Sequence, residues 1–179
     1  MEKKIEIPKD VNIIVEGMRI TVKGKKGETT RNFSDPRYNH SISMKKEGST
    51  IIVSSESGRK KIKAMIGTII SHIKNMIDGA SKGHTYIIKI NSTHFPMNIE
   101  VKGGTVIIKN FIGERGIRKS AIRKNVRVEV QKDNIIIKGV DKEDVAQTAA
   151  NIEMATRLTK KDRRIFGDGC FLESSFVGD

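Results

Sequence analysis

The sequence predicts an α+β fold made twice over: two tandem copies of a small domain, each a mostly antiparallel sheet packed against one helix. Three observations carry this. Asn12–Gly27 aligns without a gap on Asn98–Gly113: Asn12 meets Asn98, Ile13 meets Ile99, Val15 meets Val101, Gly17 meets Gly103, Lys23 meets Lys109 and Gly27 meets Gly113. In each half, short alternating apolar runs, the period-two signature of strands, give way once to a three-to-four-residue apolar period, that of a helix. The runs are punctuated by glycine and by Asp-Pro or Lys-Asp pairs, which favour turns. One helix per half is enough to cover one sheet face, so the repeat implies two cores.

In chain order, Ile5-Glu6-Ile7 alternates briefly and stops at Pro8. Asn12–Lys23 reads as strand, glycine turn and strand, and Gly24-Lys25-Lys26-Gly27 as a basic loop without the spacing of a nucleotide-binding P-loop. Thr29–Phe33 suggests another strand and Asp35-Pro36-Arg37 a turn. Ser41–Lys45 and Ser49–Ser54 form a hairpin about Glu47-Gly48. From Arg59 the stripe Ile62, Met65, Ile66, Ile69, Ile70, Ile73, Met76 and Ile77 predicts an amphipathic core helix ended by Asp78-Gly79. Ser81-Lys82-Gly83 is the expected linker, dividing an N-terminal repeat, 1–80, from a C-terminal repeat, 81–169, followed by a short acidic tail, 170–179. In the second repeat Thr85–Ile90 is a strand and Asn91–Pro96 a loop. Ile99–Val101 and Val106–Ile108 make a hairpin at Gly103-Gly104, where two positive φ angles are needed. Val126–Val130 and Asn134–Lys138 pair about Lys132-Asp133. Asp141 can then cap a helix whose inner positions are Val145, Ala149, Ile152 and Thr156.

With 34 Lys and Arg against 21 Asp and Glu in 179 residues, the net charge is +13. Such an excess points to a polyanionic partner, and both repeats share it. The single cysteine, Cys170, excludes an internal disulfide and a thiolate-rich zinc site. The four histidines, His40, His72, His84 and His94, form no metal-ligand spacing, so no cofactor or metal is expected. His72 reads as an edge residue of the first helix and His94 as a brace for its loop. Cys170 reads as a semi-buried thiol, with a nucleophile as the sharper alternative. No apolar run reaches the ~20 residues that span a bilayer, and the first residues lack the apolar region of a signal peptide. The expectation is a cytoplasmic protein with no membrane, no small-molecule substrate and no enzymatic activity.

The charge is densest after the Gly103-Gly104 hairpin. Between Lys109 and Arg127 there are seven Lys or Arg and one acid, Glu114, along the glycine-punctuated loop Asn110–Gly116 and beyond it. Two readings stand: a solvated basic face, or a rim in which Arg115, Arg118, Lys119, Arg123 and Lys124 neutralise phosphates. Gly113 and Gly116 would admit a close backbone approach. Phe111 could stack on a base or anchor the loop in the core. A second cluster, Arg157, Lys160, Lys161, Arg163 and Arg164, either binds the same polyanion or complements the dipole of the preceding helix. Engaging six phosphates would give a salt slope of roughly −4 to −5.

Five stretches, Ile70–Gly79, His94–Asn98, Lys109–Glu114, Gln131–Asp133 with Ile135–Gly139, and Lys161–Arg164 through Asp168-Gly169, carry a family likeness. They resemble the large-subunit ribosomal protein family called L-six in bacteria and L-nine in eukaryotes, and most closely its eukaryotic and archaeal branch. The resemblance implies a duplicated fold bound to large-subunit rRNA near the sarcin–ricin region, beside neighbouring large-subunit proteins and the stalk base. It implies that the second domain makes most of the RNA contact. The candidate rRNA-binding residues are therefore Lys109, Asn110, Phe111, Gly113, Arg115, Arg118, Lys119, Arg123, Lys124, Arg157, Lys160, Lys161, Arg163 and Arg164. Two other classes compete with this reading: a non-ribosomal nucleic-acid-binding module or RNA chaperone, and a basic adaptor for acidic membranes or proteins.

Overall fold

The computed structural model describes residues 2–38, 41–159, 161, 162 and 164–178. The chain forms two compact units, 1–83 and 84–179. Each has its own hydrophobic core.

In the first unit, β1 (Glu2–Glu6), β5 (Ser43–Glu47) and β6 (Thr50–Ser54) form one antiparallel sheet in the order β1-β6-β5. A second sheet holds β2 (Asn12–Glu16), β3 (Arg19–Gly24) and β4 (Gly27–Asn32). The helix α1 (Lys60–Ser81) closes the core against Ile13, Ile20, Val22, Ile51 and Val53. It has no side-chain cap and no acid in its first turn. Burial holds it instead: Ile62, Ile66, Ile69, Ile70, Ile73, Met76 and Ile77 are all buried. At about 1.5–3 kcal/mol for each such side chain, the stripe outweighs the roughly 1 kcal/mol of a missing cap. His72 lies at the edge of this core, its ring 6.1 Å from that of Phe33.

Two expectations for this unit change. The helix does not stop at Asp78-Gly79. It continues through Ser81, and Gly83 takes the left-handed position (φ 85°), its N–H donating to the carbonyls of Asp78 and Gly79. Gly79 is a buried helical residue, because the last turn packs on the sheet: a Cβ on Gly24 would come within 2.3 Å of the Ala80 carbonyl oxygen. The 24–27 stretch is also tighter than a loop. Gly24 pairs with Gly27 across a two-residue turn at Lys25-Lys26.

The second unit repeats the plan. β8 (Asn98–Lys102), β9 (Thr105–Lys109) and β10 (Arg118–Ala121) form a three-stranded sheet. β7 (His84–Asn91), β11 (Val126–Val130) and β12 (Asn134–Gly139) form another, with α2 (Lys142–Ala155) over the core. The hairpin registers match those of the first unit. Asn12 faces Lys23 as Asn98 faces Lys109, and Val15 faces Ile20 as Val101 faces Val106. Asp141 caps α2, its carboxylate accepting from the Glu143 N–H at 2.8 Å, and Val145, Thr148, Ala149 and Ile152 are buried.

The copies part company after Lys23 and Lys109. Gly27 begins a strand, whereas Gly113 (φ 71°) ends the short 3-10 turn Phe111–Gly113 inside a loop that reaches β10 only at Arg118. β10 had no alternating apolar signal, because the one side chain it buries is Ser120. The expected acidic tail is a strand as well. β13 (Gly169–Val177) adds to β7, Gly169 opposite Asn91 through Val177 opposite His84, with a bulge between Leu172 and Ser174. Its apolar residues come as adjacent pairs, Phe171-Leu172 and Phe176-Val177, split by Glu173-Ser174-Ser175, so the sequence shows no period-two alternation there.

Candidate nucleic-acid interface

The basic segments of the second unit lie along α2: Arg118 reaches Ala155 and Arg157 at the C-terminal end of the helix, and Arg123 sits beside Thr148, nearer its start. Lys109 finishes β9, its ammonium 3.2 Å from the Glu100 carboxylate. Asn110 then adopts a left-handed conformation (φ 58°), with its side-chain amide donating to the Pro96 carbonyl. Ile112 is left-handed too (φ 51°), which costs a branched residue roughly 1–2 kcal/mol. Burial of the preceding ring offsets that cost. Phe111 is 0% exposed and part of the core. The base-stacking reading of Phe111 therefore falls, since no base can reach it.

Arg118 also plays a different part. Its guanidinium makes a fork of two bonds to Glu114, at 2.7 and 2.9 Å. The same group donates to the carbonyls of Ala155 and Arg157, at 2.9 and 3.2 Å. It also lies over the Phe111 ring, 4.2 Å from the centroid. This cation comes from β10 to satisfy the C-terminal end of α2, which has no basic residue in its own last turn. The Arg118 bond holds the Glu114 carboxyl below its usual range, against the opposing effect of burial, with Lys161 adding a smaller contribution. The Glu114–Arg118 spacing of four residues was visible in the sequence, but its role as a tie between loop and helix was not.

The outward cations differ. Arg115, Lys119 and Lys124 are exposed and make no ion pair among the described residues. Lys119 alternates with the inward Arg118 and Ser120 on β10. The Arg123 N–H donates to the Thr148 hydroxyl, which donates to the Asp144 carbonyl, so the end of β10 is pinned to α2 while the Arg123 side chain stays exposed. Burial raises the Asp144 carboxyl, Asp141 adds to this, and Arg123 partly opposes it.

A second set of ties gathers the segment after α2. Asp168, 1% exposed, accepts from the His94 backbone N–H at 2.9 Å and lies 2.6 Å from His94 Nδ1. Burial works to raise its carboxyl, but the His94 backbone and ring, with the Thr93 N–H, hold it below its ordinary value. The His94 ring rests 4.8 Å from Phe166, and the Lys161 ammonium sits 4.4 Å above the same ring. Asn91 donates to the Gly167 carbonyl at 2.6 Å. His94 is thus the loop brace its sequence context suggested. Arg157, Lys161 and Arg164 are exposed on this segment, while Lys160, Arg163 and His40 lie outside the described residues. Cys170 is fully buried, and burial raises its thiol to about 11, which removes the nucleophile reading. Among the described residues no group of His, Cys, Asp and Glu could hold a metal. No helix among the described residues is long and apolar enough to cross a membrane.

A family model described as ribosomal protein L6 matches residues 7–83 and again 95–169. The chain belongs to the ribosomal protein L6 family. It is 44% identical over 170 residues to the large ribosomal subunit protein uL6 of Sulfurisphaera tokodaii, covering 95% of this chain and 90% of that one. Its counterparts of the same name in Aeropyrum pernix and Methanothrix thermoacetophila are 42% and 45% identical. Those alignments also cover 95% of this chain, with 92% and 94% of the relatives. Family membership makes this chain a structural ribosomal protein and not an enzyme.

Proposed function

We propose that the protein is a structural component of the large ribosomal subunit whose second unit binds large-subunit rRNA. The observation that carries this is full-length similarity to proteins named for that subunit. The contacts fall on Arg115, Lys119, Arg123, Lys124, Arg157, Lys161 and Arg164, each exposed. Lys109, Asn110, Phe111, Gly113 and Arg118 shape the loop that presents them. Arginine forks and lysine ammonium groups neutralise phosphates, and the rigid loop fixes their spacing, so the binding energy is electrostatic and the specificity positional. By family resemblance the site lies near the sarcin–ricin region and the stalk base, in cytoplasmic ribosomes supporting translation, with other large-subunit proteins as neighbours.

Density-gradient sedimentation in high salt tests the assignment. The protein is expected in the large-subunit peak, and recovery only from the top fractions would overturn it. For the site, Arg115→Gln, Lys119→Gln, Arg123→Gln and Lys124→Gln together should flatten the salt slope of rRNA binding by about 3. An unchanged slope rejects these residues.

A further inference from the structure

The second unit has a groove that phosphate neutralisation does not explain. It encloses about 390 Å³ between the end of α2 and the chain leading into β13. Met154, Leu158, Phe166, Cys170 and Phe171 supply its apolar lining. That volume lies at the small end of ligand pockets, about 300–1,000 Å³, and admits a flat ring but not a helical nucleic acid. Its two aromatic rings are not equivalent. Phe166 is already engaged by the Lys161 ammonium and the His94 ring. Phe171 is 46% exposed and packs over the Gly169 backbone, where an added Cβ would meet the ring at 3.0 Å.

We infer that this groove receives one unstacked base of the bound RNA, laid on the Phe171 ring. The inference rests on the RNA-binding reading above. Charge selects the occupant. Arg157 lines the groove, Lys161 sits on a ring that lines it, and Arg164 is exposed on the same segment, so the phosphates on either side of the base meet cations. An apolar peptide would gain nothing from them. Single-stranded loops and bulges present bases in this way, splayed out and stacked on aromatic side chains beside a basic track. The one exposed acid in the lining, Glu153, can accept a hydrogen bond from an N–H on the edge of the base. The stacking role that the sequence offered to Phe111 thus passes to a ring that is accessible.

The test is equilibrium binding of the full chain to protein-free large-subunit rRNA across a salt series, with Phe171→Leu, Phe171→Tyr and the fourfold Gln variant. Phe171 is exposed on an edge strand, so both single variants should melt like the parent. Phe171→Leu is expected to weaken binding on the order of tenfold with the salt slope unchanged, and Phe171→Tyr to bind like the parent. If Phe171→Leu binds normally while the fourfold variant weakens, the groove is not a base site and the RNA reading stands. If Phe171→Tyr is as weak as Phe171→Leu, stacking is rejected. If Phe171→Leu impairs incorporation into the subunit but not binding to free rRNA, a protein occupies the groove and the inference fails. If the parent chain itself does not bind large-subunit rRNA, the RNA reading is lost and the groove inference with it.

Discussion

Arg118 and Arg115 stand three residues apart in the same basic run, and geometry gives them opposite tasks. Arg118 spends its guanidinium on four acceptors within the second unit and is 25% exposed, whereas Arg115 faces solvent. Hydrogen bonds to a charged group contribute roughly 1.5–3 kcal/mol, and here they join three segments. Arg118→Leu should therefore destabilise the protein by about 2 kcal/mol in urea denaturation. Arg115→Gln should leave stability unchanged and lower only the salt dependence of RNA binding. Asp168 yields a pH signature. Its folded carboxyl is held low, so its contribution is complete above the ordinary carboxylate range near ~3.9 and is lost as pH falls through the depressed value. Asp168→Asn should cost about 1–2 kcal/mol at pH 7, with the gap to the parent closing below pH ~4; a gap that persists in acid would show that the carboxylate charge is not what matters. At this scale the sequence was least legible. Composition cannot tell a buried Phe111 from an exposed Phe171, nor a paired arginine from a free one, because both distinctions depend on partners distant in the chain.

At the scale of elements the reading went further. The hairpins, both helices and the shared register of the two copies follow from residues a few positions apart, which is where period and turn chemistry act. The misses have one cause in common: tertiary partners overrode local signals. Gly79 resembles a helix stop, yet the helix gains by running on to Ser81, where Ala80 can lie against Gly24. β10 and β13 exist because β9 and β7 offer edges to pair with, although Arg-Lys-Ser-Ala and a Glu-Ser-Ser interruption carry little strand pattern of their own. The loop from Asn110 to Ile117 is the real difference between the copies. Where the first unit turns in two residues, the second inserts a charged, backbone-strained loop, so one hairpin scaffold carries a different connection in each copy.

For the molecule as a whole, two cores closed by separate helices imply that damage to one need not spread to the other. Gly24 offers the means to test this. A methyl group there would sit 2.3 Å from the Ala80 carbonyl oxygen, which is backbone and cannot swing aside, and the Lys26 N–H to Ala80 bond (3.0 Å) anchors the same contact. Gly24→Ala must push the end of β3 off α1, a strain of about 1–3 kcal/mol for overpacking. The residues that lose support belong to the first core, Ile20, Val22, Met76 and Ile77 among them. Hydrogen exchange of the full chain should thus show faster amide exchange across residues 1–83, with protection in β7, β9, β12 and α2 retained. Binding to large-subunit rRNA should keep its affinity and salt slope, because the cations assigned to it belong to the second unit. Loss of protection in α2, or a fall in RNA affinity, would show that the repeats fold as one cooperative body and that the first unit helps to hold the interface in shape.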